Sequence, residues 1–225
     1  RLRDIRSCMR IVALTLGTRK VIWSMEYPLK NKRMPHGLLI VVGPSGAGKT
    51  TLIHELLKLY PFASKIVTYK TRKKRDTERH MEDYYFCGEE EYFTLKDKNF
   101  FAESECVHGE WSGTPKHELS SLDEAFKIIS VDIRGAITLK EKYKHVHVFF
   151  LRAPSMQVLE NRLRKRAQND EKTLQTRLHN AQIEIQTAEA SQKVDLFLVN
   201  DDFSDMFDRA RKYIETKMIG DTVAN

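Results

Sequence analysis

The chain has 225 residues, 41% of them apolar and 31% charged. That composition excludes whole-chain disorder and collagen-like repeats, and the length allows one or two domains with a proper core. No apolar run approaches the roughly 18 residues that would span a bilayer. The three scattered cysteines, Cys8, Cys87 and Cys106, include no C-x-x-C pair, which speaks against a disulfide framework or a structural zinc. The net charge of +7 is local: residues 1–36 hold nine Lys/Arg against two Asp/Glu, and the remainder is neutral. A neutral body gives no reason to expect a nucleic-acid or membrane partner.

Residues 1–36 are apolar and basic. Arg3, Arg6 and Arg10 recur at helical spacing, ahead of Ile11, Leu14 and Leu16. Arg-rich and acid-poor is also how a mitochondrial transit peptide reads. The chain begins at Arg1 rather than Met. The segment is therefore expected to be a piece of an upstream region of a longer parent, ending in a linker between Pro28 and Pro35. The expected compartment is the cytoplasm, with the mitochondrion as the alternative. One domain is expected over 37–218, followed by a tail at 219–225.

Continuous apolar runs of strand length occur at 38–42, 128–131, 146–151 and 194–199. Such runs suit strands buried on both faces. Helical periodicity predicts helices over 51–60, 155–166, 173–191 and 204–218, with Pro154 well placed near the second start. Strands alternating with helices predict an α/β protein with a parallel core sheet flanked by helices. Residues 67–116 break that rhythm. They are polar, aromatic and basic, and are expected to form a small insertion.

Gly43-Pro44-Ser45-Gly46-Ala47-Gly48-Lys49-Thr50 satisfies the phosphate-loop pattern G-x-x-x-x-G-K-[ST]. It follows an expected buried strand and opens an expected helix, which is the context the pattern requires. Glycines let the backbone close around phosphates with N–H groups turned inward. The loop from Gly43 through Thr51 is thus a candidate nucleoside-triphosphate cradle. Lys49 is placed for the outer phosphates, and the Thr50 hydroxyl for Mg²⁺.

Downstream of this loop the sequence resembles the guanylate kinases, over about residues 37–218. The resemblance implies a P-loop NTPase fold with an inserted mixed α/β GMP-binding subdomain at 67–116 and a helical lid at 164–179. It implies ATP with Mg²⁺ as the phosphoryl donor and GMP or dGMP as the acceptor. Relatives of this type commonly act as monomers. Three stretches carry it. Val67-Thr68-Tyr69-Lys70-Thr71-Arg72-Lys73-Lys74-Arg75, with Asp83-Tyr84-Tyr85-Phe86, is similar to V-S-x-T-T-R-x-P-R … D-Y-x-F. By resemblance Thr68, Arg72, Arg75 and Tyr84 hold the GMP phosphate, a task suited to planar guanidinium forks. Phe101-Ala102-Glu103 and His108-Gly109-Glu110-Trp111-Ser112-Gly113-Thr114 are similar to F-x-E … S-G-x-x-Y-G-[ST]. There Glu103 and Thr114, with Asp132, would read guanine: a carboxylate accepts from N1–H and N2–H₂, and a hydroxyl can donate to O6. Finally, Arg162-Leu163-Arg164-Lys165-Arg166 and Arg177-Leu178 follow the spacing of the lid. Arg166 and Arg177 would be its charge-neutralising arginines, Arg162 a supporting partner, and Asn200 of Val199-Asn200-Asp201-Asp202 a neighbour of the adenine.

Several positions depart from the family pattern. Ser112 stands where a second phosphate tyrosine is usual, Ser130 where an aspartate near the metal is usual, and Lys74 where a proline is usual. The stretch 76–82 lacks the glycines that normally precede the D-Y pair. These departures keep open a second reading, a binding module within a larger protein. The basic run from Lys70 to Arg79 with Tyr84-Tyr85-Phe86 could alternatively serve single-stranded RNA. His145 with His147, and Cys106 with His108, are weaker candidates for metal binding and nucleophilic chemistry.

Overall fold

In the computed structural model the described residues are 34–76, 78–107, 109–166 and 171–218. The transit-peptide reading of residues 1–36 and the tail at 219–225 fall almost wholly outside them. The run at 38–42 is the middle of the protein. It forms β1 (Gly37–Val42), in which every residue is buried. Both its edges are paired in parallel, to β7 (Phe126–Ile129) and to β8 (Val146–Arg152). With β2 (Ser64–Lys65) and β9 (Leu196–Val199) outside these, the sheet order is β2-β7-β1-β8-β9.

Because side chains alternate along a strand, an all-apolar β1 needs cover on both faces. Leu38, Ile40 and Val42 pack with Ile133, Ala136 and Leu139 of α3 (Ile133–Lys142) and with Ala188 of α5 (Glu171–Ser191). Leu39 and Val41 pack on the other face with Leu52 and Leu56 of α1 (Lys49–Leu59) and with Met206 and Ala210 of α6 (Phe203–Tyr213). A third cluster joins α4 (Met156–Arg166) to α5 through Leu159, Leu163, Leu174 and Ala181.

Residues 69–115 supply a second, mixed sheet of order β4-β3-β6-β5. It consists of β3 (Tyr69–Lys70), β4 (Tyr85–Phe86), β5 (Phe101–Val107) and β6 (Glu110–Pro115). Aromatic rings knit it: Tyr69 stacks on Tyr85 at 4.8 Å, and Tyr92 on Phe101 at 4.7 Å. Tyr92 comes from α2 (Glu89–Asp97), whose first turn holds Glu89, Glu90 and Glu91, the sign its dipole favours.

Two helices, α2 and α3, have no counterpart in the periodicity. α3 is interrupted by Gly135, a poor helix former, and shows only Ile133, Ala136 and Leu139 as a buried stripe. Its start shortens the expected strand: β7 ends at Ile129, because Asp132 turns the chain and caps the helix. The strand expected at 194–199 likewise begins only at Leu196. Asp195 instead accepts from the Val148 N–H at 2.8 Å and pairs with Lys140 of α3, so one carboxylate ties helix to sheet. His145 has φ +55 and lies just before β8, whereas His147 lies within it, so the candidate metal pair His145 and His147 does not sit on one strand.

Asp195→Ala removes both partners at once and leaves the Val148 N–H unpaired. It should cost about 1–3 kcal/mol, read as a lower urea midpoint at unchanged slope.

Candidate active site

At the end of β1 the chain turns through the glycine-rich loop into α1. Gly43 and Gly48 hold φ of +136 and +109, angles that side-chain-bearing residues avoid. Gly46 shares this need with φ +88, and the position of its absent Cβ lies 3.4 Å from Leu159 and Leu163, ordinary contact distance, so α4 packs directly on the loop. The Lys49 ammonium donates to the carbonyls of Gly43 and, at 3.0 Å, Pro44. Ser45, Thr50 and Thr51 are exposed. Ala47 is fully buried, and its carbonyl accepts from the Asn200 side-chain amide at 2.8 Å. Arg162 in turn donates to the Asn200 carbonyl at 2.8 Å. The Asn200 side chain thus fastens the loop, and Arg162 fastens Asn200 to α4.

Glu184 of α5 also faces this loop. Burial raises its carboxyl above the usual range, and Asp132 adds to that; the Lys49 charge and the Gly43 N–H pull the other way. It sits at i+3 from buried Ala181 and i−4 from buried Ala188, and that spacing was the signal available in the sequence. Arg177 is half-buried two turns earlier on the same helix. Arg166 ends α4, but its side chain, like residues 167–170 of the expected lid, lies outside those described.

In the second sheet, Glu103 of β5 is only 4% exposed. The Thr114 hydroxyl of β6 donates to its Oε1 at 2.5 Å. Its Oε2 has no hydrogen-bond partner among the described residues. Burial pushes this carboxyl up to about 7; Asp132 and Glu105 push the same way, while Thr114 and Lys70 oppose. Oε2 lies against the first turn of α3, where a Cβ on Gly135 would meet it at 2.8 Å. Asp132 caps that turn, its Oδ1 accepting from the N–H groups of Arg134 (2.8 Å) and Gly135 (3.1 Å).

A basic end adjoins this acidic one. The Arg72 side chain is 9% exposed and makes a two-pronged bond to Glu78, at 2.5 and 2.6 Å. The Arg72 guanidinium lies 5.4 Å from the Tyr84 ring centre. Burial raises the Tyr84 phenol above its ordinary value. Thr68 is 2% exposed, and its hydroxyl has no partner among the described residues. Arg75 is different: it stands at the rim, 59% exposed and 3.9 Å from Glu78. Two participants went unnoticed in the sequence. Glu78 lies in the stretch 76–82, which was noted only for its missing glycines. Lys70 was counted only as one charge of a basic run.

The other candidates stay outside this cleft. The His147 imidazole pairs with the Tyr213 hydroxyl at 3.1 Å, and no cluster of three potential metal ligands occurs among the described residues. Cys106 is exposed and His108 lies outside the described residues. No described helix is long and apolar enough to cross a membrane.

A five-stranded parallel sheet, a glycine-rich loop with Lys49 at the end of its central strand and an inserted second sheet define a P-loop nucleotide-binding α/β protein. Comparison with known proteins narrows this. The guanylate kinase family model matches residues 36–217. The guanylate kinase of Nitratidesulfovibrio vulgaris is 40% identical over 181 residues, covering 79% of this chain and 86% of its own. That of Rickettsia prowazekii is 35% identical over 188 residues, covering 82% and 92%. The crystal structure of guanylate kinase from Anaplasma phagocytophilum superposes with a TM-score of 0.67 at 26% identity, over 84% of this chain and 89% of that one. The chain belongs to the guanylate kinase family.

The raised Glu103 carboxyl has a consequence for stability. Between the unfolded value near 4.5 and about 7, the native carboxyl keeps a proton that the unfolded chain has lost. Stability therefore falls as pH rises through that window. Glu103→Gln keeps an acceptor for Thr114 and removes the buried charge. It should melt at a higher temperature than the parent at pH 8 and at about the same temperature at pH 4.5, measured by calorimetry.

Proposed function

We propose that this protein transfers the γ-phosphoryl group of ATP to GMP, giving ADP and GDP. Membership of the guanylate kinase family supports this reaction. The observation that carries the choice of acceptor is the buried Glu103–Thr114 pair with one unspent carboxylate oxygen. Guanine offers adjacent N–H donors to that oxygen. Adenine offers an acceptor at N1 and would leave the carboxylate unpaired. Asp132 stands next to Glu103 and adds a second acceptor on the same side.

In this reading the loop N–H groups from Gly43 to Thr51 cradle the donor phosphates, and Lys49 exchanges its carbonyl partners for the outer phosphate oxygens. The donor set also suits Mg²⁺: the Thr50 hydroxyl is exposed in the first turn of α1, and Glu184 carries a carboxylate close enough to feel Lys49. Mg²⁺ bound with ATP supplies charge neutralisation between the outer phosphates. Arg72, Tyr84 and Thr68 hold the acceptor phosphate, and Arg75 swings in from the rim. Arg72 must leave Glu78 for the incoming phosphate, which keeps the fork ordered until then.

The residues 164–179 act as a lid. Arg177 and Arg166 neutralise charge developing on the transferred group, and closure excludes water, so that ATP is not spent on hydrolysis. α4 packs on Gly46 and is tied through Arg162 to Asn200, so the base of the lid senses the loop directly.

The test is ADP release coupled to a dehydrogenase readout, with Mg²⁺-ATP and each of GMP, AMP, CMP and UMP. Turnover is expected with GMP and should fall by roughly 10²–10³-fold or more in Lys49→Ala. Glu103→Gln should narrow the preference for GMP over AMP by at least about 100-fold. A folded protein that turns over no monophosphate contradicts the reading.

A further inference from the structure

Lys70 stands at the junction of the two ends of the acceptor cleft. In the register of the second sheet it lies directly opposite Ser112, and its ammonium approaches the Ser112 hydroxyl at 3.4 Å. It also stands 4.9 Å from the centre of the Tyr84 ring. No carboxylate lies within ion-pair distance of it among the described residues. The nearby arginine, Arg72, repels it, and the Glu110, Asp132 and Glu103 carboxylates attract it only from beyond contact. Asp132 is capping α3 and Glu103 is bonded to Thr114. A partly buried ammonium beside a second cation and an aromatic face, without an anionic partner of its own, is expensive to keep charged. Its free energy improves sharply when an anion arrives.

We propose that Lys70, aligned by Ser112, is a phosphate-binding residue of the acceptor site and takes the place of the tyrosine hydroxyl that the family pattern has at position 112. The family pattern V-S-x-T-T-R has a threonine where Lys70 stands, so Lys70 and Ser112 both depart from it, and they lie across from each other on neighbouring strands, where one can compensate for the other. The short Ser112 side chain leaves the room that a tyrosine ring would fill, and Lys70 reaches into it. This assignment rests on the reading of the site as one for a nucleoside monophosphate.

The electrostatics agree. Burial, and after it Arg72, lowers the Lys70 ammonium from its ordinary value to about 8. A bound dianion would raise it again. Monophosphate binding above pH 8 must then take up a proton, and affinity falls as pH rises through 8. The groups facing Lys70 are Arg72 two residues past the end of β3, Tyr84 ahead of β4, Glu110 and Ser112 on β6, Glu103 on β5 and Asp132 at the start of α3. Glu103, pushed up to about 7, still gives up part of its proton above pH 7.5, so the limb assigned to Lys70 is the loss that GMP shows beyond that of guanosine, which in this reading meets Glu103 but carries no phosphate.

Calorimetric binding of GMP and of guanosine, at pH 7.5 and pH 9, tests this on the parent, Lys70→Met and the double variant Lys70→Met/Ser112→Tyr. The parent should lose about five- to tenfold in GMP affinity between the two pH values. Lys70→Met should bind GMP roughly 10- to 100-fold more weakly at pH 7.5, bind guanosine as the parent does, and show a flatter pH dependence. The double variant should regain part of the GMP affinity without the pH dependence. Equal GMP binding by parent and Lys70→Met overturns the assignment, as does a parallel loss of guanosine, which marks a structural role. If the parent binds no GMP, the proposed function falls and takes this assignment with it. If the parent binds and phosphorylates GMP while Lys70→Met is unaffected, the assignment alone falls.

Discussion

The two sheets meet at the Glu103 carboxylate. It leaves β5 of the second sheet and ends against the first turn of α3, the helix that covers the central strand of the first. A buried carboxyl is costly unless its oxygens are satisfied, and here only one is, by Thr114. The neighbourhood is shaped by that demand. Gly135 has no side chain because one would strike Oε2. Asp132 spends one oxygen on the helix N-terminus and lends its charge to keeping Glu103 protonated. In the proposed function the unspent oxygen is the recognition element, and its cost is recovered when a ligand with paired N–H donors arrives.

The same economy of contacts governs the donor side. The glycine-rich loop is held from outside by three elements: Asn200 from the end of β9, the leucines of α4 and the Glu184 face of α5. Since α4 and α5 flank the expected lid, movement of the lid would be felt at the loop. The acceptor side is organised by charge instead. Glu78 holds the Arg72 fork in one orientation, while Lys70 has no carboxylate within ion-pair distance among the described residues. In the proposed function these two cations divide the labour of fixing a phosphate, one setting direction and the other adding pH-sensitive attraction.

Much of this was legible in the sequence. The β1 run, the phosphate loop and the long α5 stripe follow from patterning, because continuous burial, required positive φ and 3.6-residue periodicity leave strong local marks. Glu103 and Thr114 are singled out together by the family resemblance, and the structure brings the two within hydrogen-bond reach. Helices α2 and α3 left weak marks: one is short and acidic, the other carries Gly135 near its start. Lys70, Glu78 and Glu184 were invisible as site residues for a different reason. Their significance lies in cross-strand register and helix facing, which bring together positions up to 141 residues apart, as with Gly43 and Glu184. A lysine in a run of basic residues cannot be told from its neighbours until the strand opposite is known.

The proposed recognition of guanine requires that the Glu103 carboxyl keep its proton up to about pH 7 until a guanine nucleotide claims it. Site-specific ¹³C NMR of the glutamate carboxyls, assigned with Glu103→Gln, measures this by titration with and without GMP. Glu103 should titrate near 7 alone, and with saturating GMP it should remain ionised to well below that value. Titration near 4.5 in the protein alone, or a midpoint that does not move when GMP binds, would contradict this recognition.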